Sequence, residues 1–175
     1  MLWSNLSSAK SYMSEQAFVE LVESTLLDAN QLNSKTLWLK KPMQEKIKRI
    51  LNHNYPKLRL RYKMLSPLEN SSPSNITTVW FLEEIGKEKP ISFAISVKNS
   101  NVQLIRVLEY RESRGYEVQI PAFTEQFEQI GVDNNGLLNK DIDGITGATM
   151  SVSAMKKIAR LSILLHNTVT NNENK

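Results

Sequence analysis

The chain has no cysteine among its 175 residues, which removes structural disulfides, thiolate catalysis and any iron–sulfur centre held by its own thiolates. This absence leaves the compartment open. Only two histidines are present, His53 and His166, and they lie too far apart in sequence to form a short metal-binding motif. Glycine and proline are scarce at 6 each, and with 41% hydrophobic and 23% charged residues the composition excludes collagen-like and disordered classes. No run approaches the roughly 18 apolar residues of a membrane span. The opening MLWSNLSSAKSY has neither the basic nor the sustained apolar part of a secretory signal. What remains is one globular domain, since the length sits close to the roughly 150 residues of a typical one.

Lys plus Arg number 22 against 18 Asp plus Glu, a formal charge of +4. The excess is local. Between Lys40 and Lys63 stand Lys40, Lys41, Lys46, Lys48, Arg49, Lys57, Arg59, Arg61 and Lys63 against the single acid Glu45. Such a patch either steers an anionic partner or solubilises a surface. The stretch holds no zinc-finger spacing, RNP-like aromatic pattern or G-x-x-G clamp, so no nucleic-acid partner is expected.

Hydrophobic spacing predicts a helix over 14–29, with Phe18, Leu21, Val22, Leu26 and Ala29 on one face and Ser14 as its cap. A second helix is expected from Pro42, with Met43, Ile47, Ile50 and Leu51 as its packing stripe and Tyr55-Pro56 as its stop. Residues 1–56 therefore read as a helical region packed on the same domain. From Lys57 the period changes to two: Leu58, Leu60 and Tyr62 alternate with Lys57, Arg59 and Arg61, which places the basic residues in a row on one side of a strand. The polar segment 66–75 is a loop, after which ITTVWFLEEI, ISFAISV and VQLIRVLEY read as strands joined by tight turns at 86–90 and 98–101. Short connections favour antiparallel pairing. The expected fold class is α+β, a mainly antiparallel sheet flanked by helices, with its core over 57–169 and a flexible tail at 170–175. Trp38 and Trp80 are assigned to packing.

The last helical signal runs from about 151 to 166, where Val152, Met155, Ala159, Ser162 and Leu165 share a side widened by Ile158 and Leu161. Before it stands Asp143-Gly144-Ile145-Thr146-Gly147-Ala148-Thr149, a turn of small and hydroxyl-bearing residues that delivers the chain to a helix N-terminus. Unpaired amides and the positive end of the helix dipole suit that place to a phosphate. Gly147 permits positive φ, Ala148 adds little bulk, and Thr149 presents a hydroxyl where an anion would sit. An ordinary capped helix accounts for the same residues, with Thr149 or Ser151 capping and Gly144 and Gly147 turning. The turn is neither a Walker A sequence nor a Rossmann G-x-G-x-x-G.

The segment resembles the flavinylation motif D-x-x-[ST]-G-A-T of the FMN-binding domain family, with a further Ser or Thr near the helix start. Asp143, Thr146, Gly147, Ala148, Thr149 and Ser151 match it residue by residue. Upstream, Glu112, Ser113, Arg114 and Gly115 resemble the family's E-T-P-G segment, with Arg114 in place of the usual proline, and Phe123, Gln126 and Phe127 resemble its F-x-x-Q-F segment. The likeness covers residues 76–169. It is greatest to small stand-alone members, although the family includes the FMN-carrying subunits of the sodium-pumping NADH:quinone reductase and of the Rnf electron-transport complex.

The resemblance implies an electron-transfer flavoprotein in which FMN is joined to Thr149 by a phosphoester bond, with Thr146 and Ser151 beside the phosphate. Asp143 is implied in turn formation or in the encounter with a flavin transferase, whose magnesium belongs to the modifying reaction. Glu112, Ser113, Arg114 and Gly115 are implied beside the flavin ring, with Tyr110, Tyr116, Phe123 and Phe127 offered as its apolar wall and Arg111 or Arg114 as a charge that favours the reduced ring. The implied partners are the transferase and membrane-associated or soluble redox proteins. The implied location is periplasmic or membrane-peripheral outside the cytoplasm. Two other readings stay open, a flavin-dependent oxidoreductase acting on a small substrate and an unflavinylated partner-binding module.

Overall fold

The computed structural model describes residues 9–26, 30–67 and 76–172. Among these, one antiparallel sheet is built from β1 (Lys10–Ser11), β2 (Asn30–Trp38), β3 (Arg59–Pro67), β4 (Thr77–Ile85), β5 (Pro90–Lys98) and β6 (Asn101–Tyr110), in the order β1-β6-β5-β4-β3-β2. Four helices accompany it: α1 (Glu15–Ser24), α2 (Lys41–Leu51), α3 (Pro121–Thr124) and α4 (Thr149–Asn172). The fold is α+β, as the strand alternation and helical spacing predict.

Two-residue alternation divides the sheet between two unequal cores. Leu60, Tyr62 and Met64 of β3, Trp80 and Leu82 of β4, and Phe93 and Ile95 of β5 face α4 and α2, where they meet Met155, Ile158, Leu161, Ile47 and Leu51. The opposite face is thinner. There Leu65, Val79, Ala94 and Leu108 pack against Phe18, Val19 and Val22 of α1. The Ser14 hydroxyl caps α1 by accepting from the Ala17 amide at 3.1 Å, and Pro42 occupies the first turn of α2.

A polar chain crosses the larger core. The indole N–H of Trp80 donates to Thr78 Oγ1 at 2.9 Å, and Thr78 Oγ1 shares a second hydrogen bond with Nδ1 of His166, also at 2.9 Å. Burial pushes the His166 pKa down from 6.5 to about 4, so its ring is neutral near pH 7.

The structure departs from the sequence reading in the first third of the chain. Helix α1 stops at Ser24, and α2 ends in a left-handed Asn52 (φ 66°) before Tyr55-Pro56 is reached. Between them β2 pairs with β3 over nine residues, Asn30↔Pro67 to Trp38↔Arg59, so the region 1–56 is not wholly helical. Trp38 is not a packing residue. It is 63% exposed, with the Arg59 guanidinium 6.0 Å from its ring centre, because β2 is the edge strand and has no neighbour on its far side among the described residues. Of the loop expected at 66–75, residues 66 and 67 close β3 and 68–75 lie outside the described residues. Helix α4 runs to Asn172, so residues 170–172 continue the helix where a flexible tail is expected.

One end of the sheet gathers the chain segments that matter below. Trp38 pairs with Arg59, Ile85 with Pro90, and Lys10 with Tyr110, while Lys57 reaches Glu83 at 3.3 Å. The C-terminal ends of β2, β4 and β6 and the N-terminal ends of β3 and β5 therefore share this end.

Candidate functional site

A cavity of about 620 Å³ opens at that end, where the turn after β4, the segment after β6 and the first turn of α4 converge. Its size falls within the roughly 300–1,000 Å³ of small-molecule and cofactor sites. It is lined by Lys87, Glu88, Glu112, Ser113, Arg114, Gly147, Ala148, Thr149, Met150 and Ser151. Eight of the ten come from two stretches far apart in sequence, 112–114 and 147–151.

The start of α4 is chemically open. The Val152 amide bonds to the Ala148 carbonyl at 3.0 Å, which makes Ala148 the cap and leaves the amides of Thr149, Met150 and Ser151 without carbonyl partners inside the helix. An alanine has no side-chain acceptor to offer them. The ordinary-cap alternative therefore does not describe this helix, because Thr149 is its first residue and Ser151 its third. The Thr149 residue is exposed, while Ala148 and Ser151 are buried beneath it. Gly147 precedes them at φ 82° with nothing within 4 Å of where a Cβ would project, so this bend leaves open space beside the amides.

Ser151 is engaged inward. The Tyr110 hydroxyl bonds both the Arg114 carbonyl and Ser151 Oγ, the latter at 2.7 Å. A carbonyl can only accept, so the Tyr110 proton goes to Arg114 and the Ser151 proton goes to Tyr110. Burial raises the Tyr110 pKa, against the bond from Ser151. Gly115 completes the joint at φ 87°, where a Cβ would meet Tyr110 Oη at 2.8 Å, Ser151 Oγ at 2.9 Å and Ala148 Cβ at 3.2 Å. Only glycine gives both the backbone conformation and the clearance there.

Glu112 forms the opposite wall by holding a turn. Its Oε1 accepts the amides of Lys87, Glu88 and Lys89 at 2.5, 2.6 and 2.9 Å. Burial pushes its pKa upward, but the three amide donors and the Lys89 charge outweigh this and hold the carboxyl below its usual 4.5. Gly86 is required beneath, since a Cβ would come within 2.9 Å of that same oxygen. The turn in front of α4 is held as well. The Asp143 amide donates to Gln126 Oε1 at 2.9 Å, and Lys156 Nζ from α4 donates to the Ile142 carbonyl at 2.9 Å.

Of the residues singled out in the sequence, Glu112, Ser113, Arg114, Gly147, Ala148, Thr149 and Ser151 line the cavity together. Gly115 lies behind it in the joint just described, while Asp143 and Thr146 are exposed on the approach turn outside the lining. The expected aromatic wall is absent. Phe123 and Phe127 are buried in the core edge to face at 5.8 Å, Tyr110 is buried with its hydroxyl committed, and Tyr116 is 46% exposed under Lys10. Arg111 is also elsewhere, bound to Glu109, the Pro90 carbonyl and Ser92. Lys87, Glu88 and Met150 were not anticipated as cavity residues. Their only sequence signal is adjacency, to Gly86 for the first two and to Thr149 for the third.

The geometry fits the phosphate of a flavin mononucleotide at the start of α4, where three amides outside the helix's own bonding and an open glycine bend face the cavity, while its side-chain charges balance, Lys87 and Arg114 against Glu88 and Glu112. Among the described residues, no group of three or more His, Asp or Glu could hold a metal ion. No curated protein and no solved structure matches the chain. Residues 86–163 match the family model of the FMN-binding domain, a span that begins at the glycine under Glu112 and ends within α4. The match supports an FMN-binding domain over this stretch, with FMN as the cofactor of that domain.

Proposed function

We propose that the protein is an electron-transfer flavoprotein that carries FMN through a phosphoester bond to Thr149 and relays electrons between redox partners. The observation that carries this reading is the placement of Thr149 as the exposed first residue of α4, with its hydroxyl-bearing side chain on the cavity and uncapped amides around it. Attachment requires a flavin nucleotide activated as a pyrophosphate. The Thr149 oxygen–phosphorus bond forms as the pyrophosphate P–O bond breaks, the hydroxyl proton is released, and the second nucleotide departs with its phosphate. A flavin transferase supplies this step, and exposed Asp143 and Thr146 lie on the turn such an enzyme would have to grasp.

The protein's own contribution is fixation and charge. The diester retains one negative charge, which the α4 amides and dipole stabilise by roughly 0.3–1 kcal/mol at an exposed helix end. The Gly115 joint fixes the 112–114 segment against α4, and Glu112 fixes the 86–89 turn. Lys87 and Arg114 are balanced on the cavity by Glu88 and Glu112, so the α4 amides supply the charge that favours the phosphate. When bound, the isoalloxazine supplies the electron-carrying chemistry.

The test is colour retention. Protein made with a flavin transferase keeps its yellow absorbance after denaturation and desalting, and Thr149→Val loses it. Oxidation and reduction by protein or small artificial partners, without turnover of an organic substrate, separates a carrier from an oxidoreductase.

A further inference from the structure

The end of the sheet that carries the cavity also carries exposed apolar side chains in a basic setting. Trp38 and Leu58 are each 63% exposed and Ile85 is 52% exposed. Leu58 stands beside Trp38 because its carbonyl accepts the Leu39 amide at 2.8 Å, and Ile85 ends the strand that lies next to β3. Exposed Lys40 and Arg59 flank Trp38, and exposed Lys87 follows Ile85. Two acids share this rim: Glu83 is paired with Lys57 at 3.3 Å and faces Arg111 at 3.9 Å, and exposed Glu88 lies 3.9 Å from Lys87. Single exposed apolar residues are ordinary. Three large ones on one rim, with cations between them, are not a solubilised surface.

We propose that this rim docks on an anionic phospholipid surface, with Trp38, Leu58 and Ile85 entering the headgroup region and Lys40, Arg59 and Lys87 meeting lipid phosphates. The chemistry favours lipid over an acidic protein. Tryptophan with an amphipathic ring and basic neighbours is the side-chain set of membrane interfaces, and the hollow of about 270 Å³ that Trp38 lines is edged by Lys40 and Lys46, cations that suit a lipid phosphate. Among the described residues no helix is long and apolar enough to cross a membrane, so attachment here would be peripheral and reversible. The cavity shares this end, which would place it at the lipid boundary. The proposal does not depend on flavin attachment.

The experiment is co-sedimentation of the full, unmodified chain with vesicles of phosphatidylglycerol and phosphatidylcholine, and with phosphatidylcholine alone. Binding is expected to the anionic vesicles, to be weakened by salt, and to be absent from the neutral ones. Trp38→Ser is expected to lower partitioning several-fold, and Arg59→Glu by about tenfold or more. Leu137→Ser removes a side chain of similar exposure, 53%, in the loop whose Gly131 abuts Asn101 at the far end of the sheet, and should bind like the wild type. Both test residues are exposed, and matching melting temperatures verify that the variants are folded. Absence of binding to anionic vesicles overturns the proposal, as does equal binding by the Trp38 and Arg59 variants. Binding to soluble polyglutamate without binding to vesicles also overturns it and assigns the rim to an acidic protein.

Discussion

Replacing Gly115 with alanine tests whether the segment after β6 is locked to the start of α4. The added Cβ would enter a left-handed conformation at φ 87° and meet three atoms within 3.2 Å. Its neighbours have little freedom, since the Tyr110 ring is buried and its hydroxyl is held by Arg114 and Ser151. The left-handed conformation costs about 1–2 kcal/mol, and overpacking a filled site costs a further 1–3 kcal/mol or so. A total near 3 kcal/mol lowers the melting temperature of a chain this size by roughly 6–12 °C. Gly136→Ala is the comparison, because Gly136 has φ 73° but nothing within 4 Å; it incurs only the conformational part, roughly 3–6 °C. Differential scanning calorimetry on the unmodified variants separates the two contributions. An equal fall in both would refute the packing role given to Gly115.

Tyr110→Phe strands the Arg114 carbonyl and the Ser151 hydroxyl, and should cost about 1–3 kcal/mol by denaturant titration. Adding Ser151→Ala to it should cost less than the two single changes summed, because both act on one bond. The pH profile of stability should show two separate acid-side losses. His166 has a folded pKa near 4, below its ordinary value of 6.5, so its contribution is complete above about 6.5 and is lost as pH falls towards 4. That difference corresponds to on the order of 3 kcal/mol, and His166→Gln should flatten the profile in this window. Glu112 is also depressed, below 4.5, so its contribution is present above that value and is lost as pH falls through the folded pKa. Glu112→Gln should flatten the part of the curve below about 4.5 and leave the decline between about 4.5 and 6.5 in place.

Strands β3 to β6 and helix α4 were legible because each buries at least one face, which leaves either an alternation, as in β3, or an apolar run of strand length, as in β4 and β5. Edge strand β2 was not. In NQLNSKTLW neither face is consistently buried, since Leu32 is 39% and Trp38 63% exposed, so its pairing with β3 left no alternation to read. The segments that line the cavity were legible through their motifs: the turn at 143–149 and the 112–115 segment were picked out separately, and the fold brings Gly147–Ser151 and Glu112–Arg114 to one cavity. The aromatic side chains nearby were misread because sequence proximity to a motif does not say which way a ring turns. Phe123 and Phe127 turn into the core, while Gln126 between them turns out to hold Asp143. The roles of Glu112 and Ser151 as holders of backbone and side chain also required coordinates, because their partners are 23 to 41 residues away.

The central claim is the bond to Thr149. Its most direct test is the intact mass of denatured protein produced together with a flavin transferase, followed by peptide mapping of the adduct. The account predicts a wild-type increment of one FMN less one water, mapped to Thr149, and none in Thr149→Val. An increment that persists in Thr149→Val, or an adduct mapped to another residue, would contradict it.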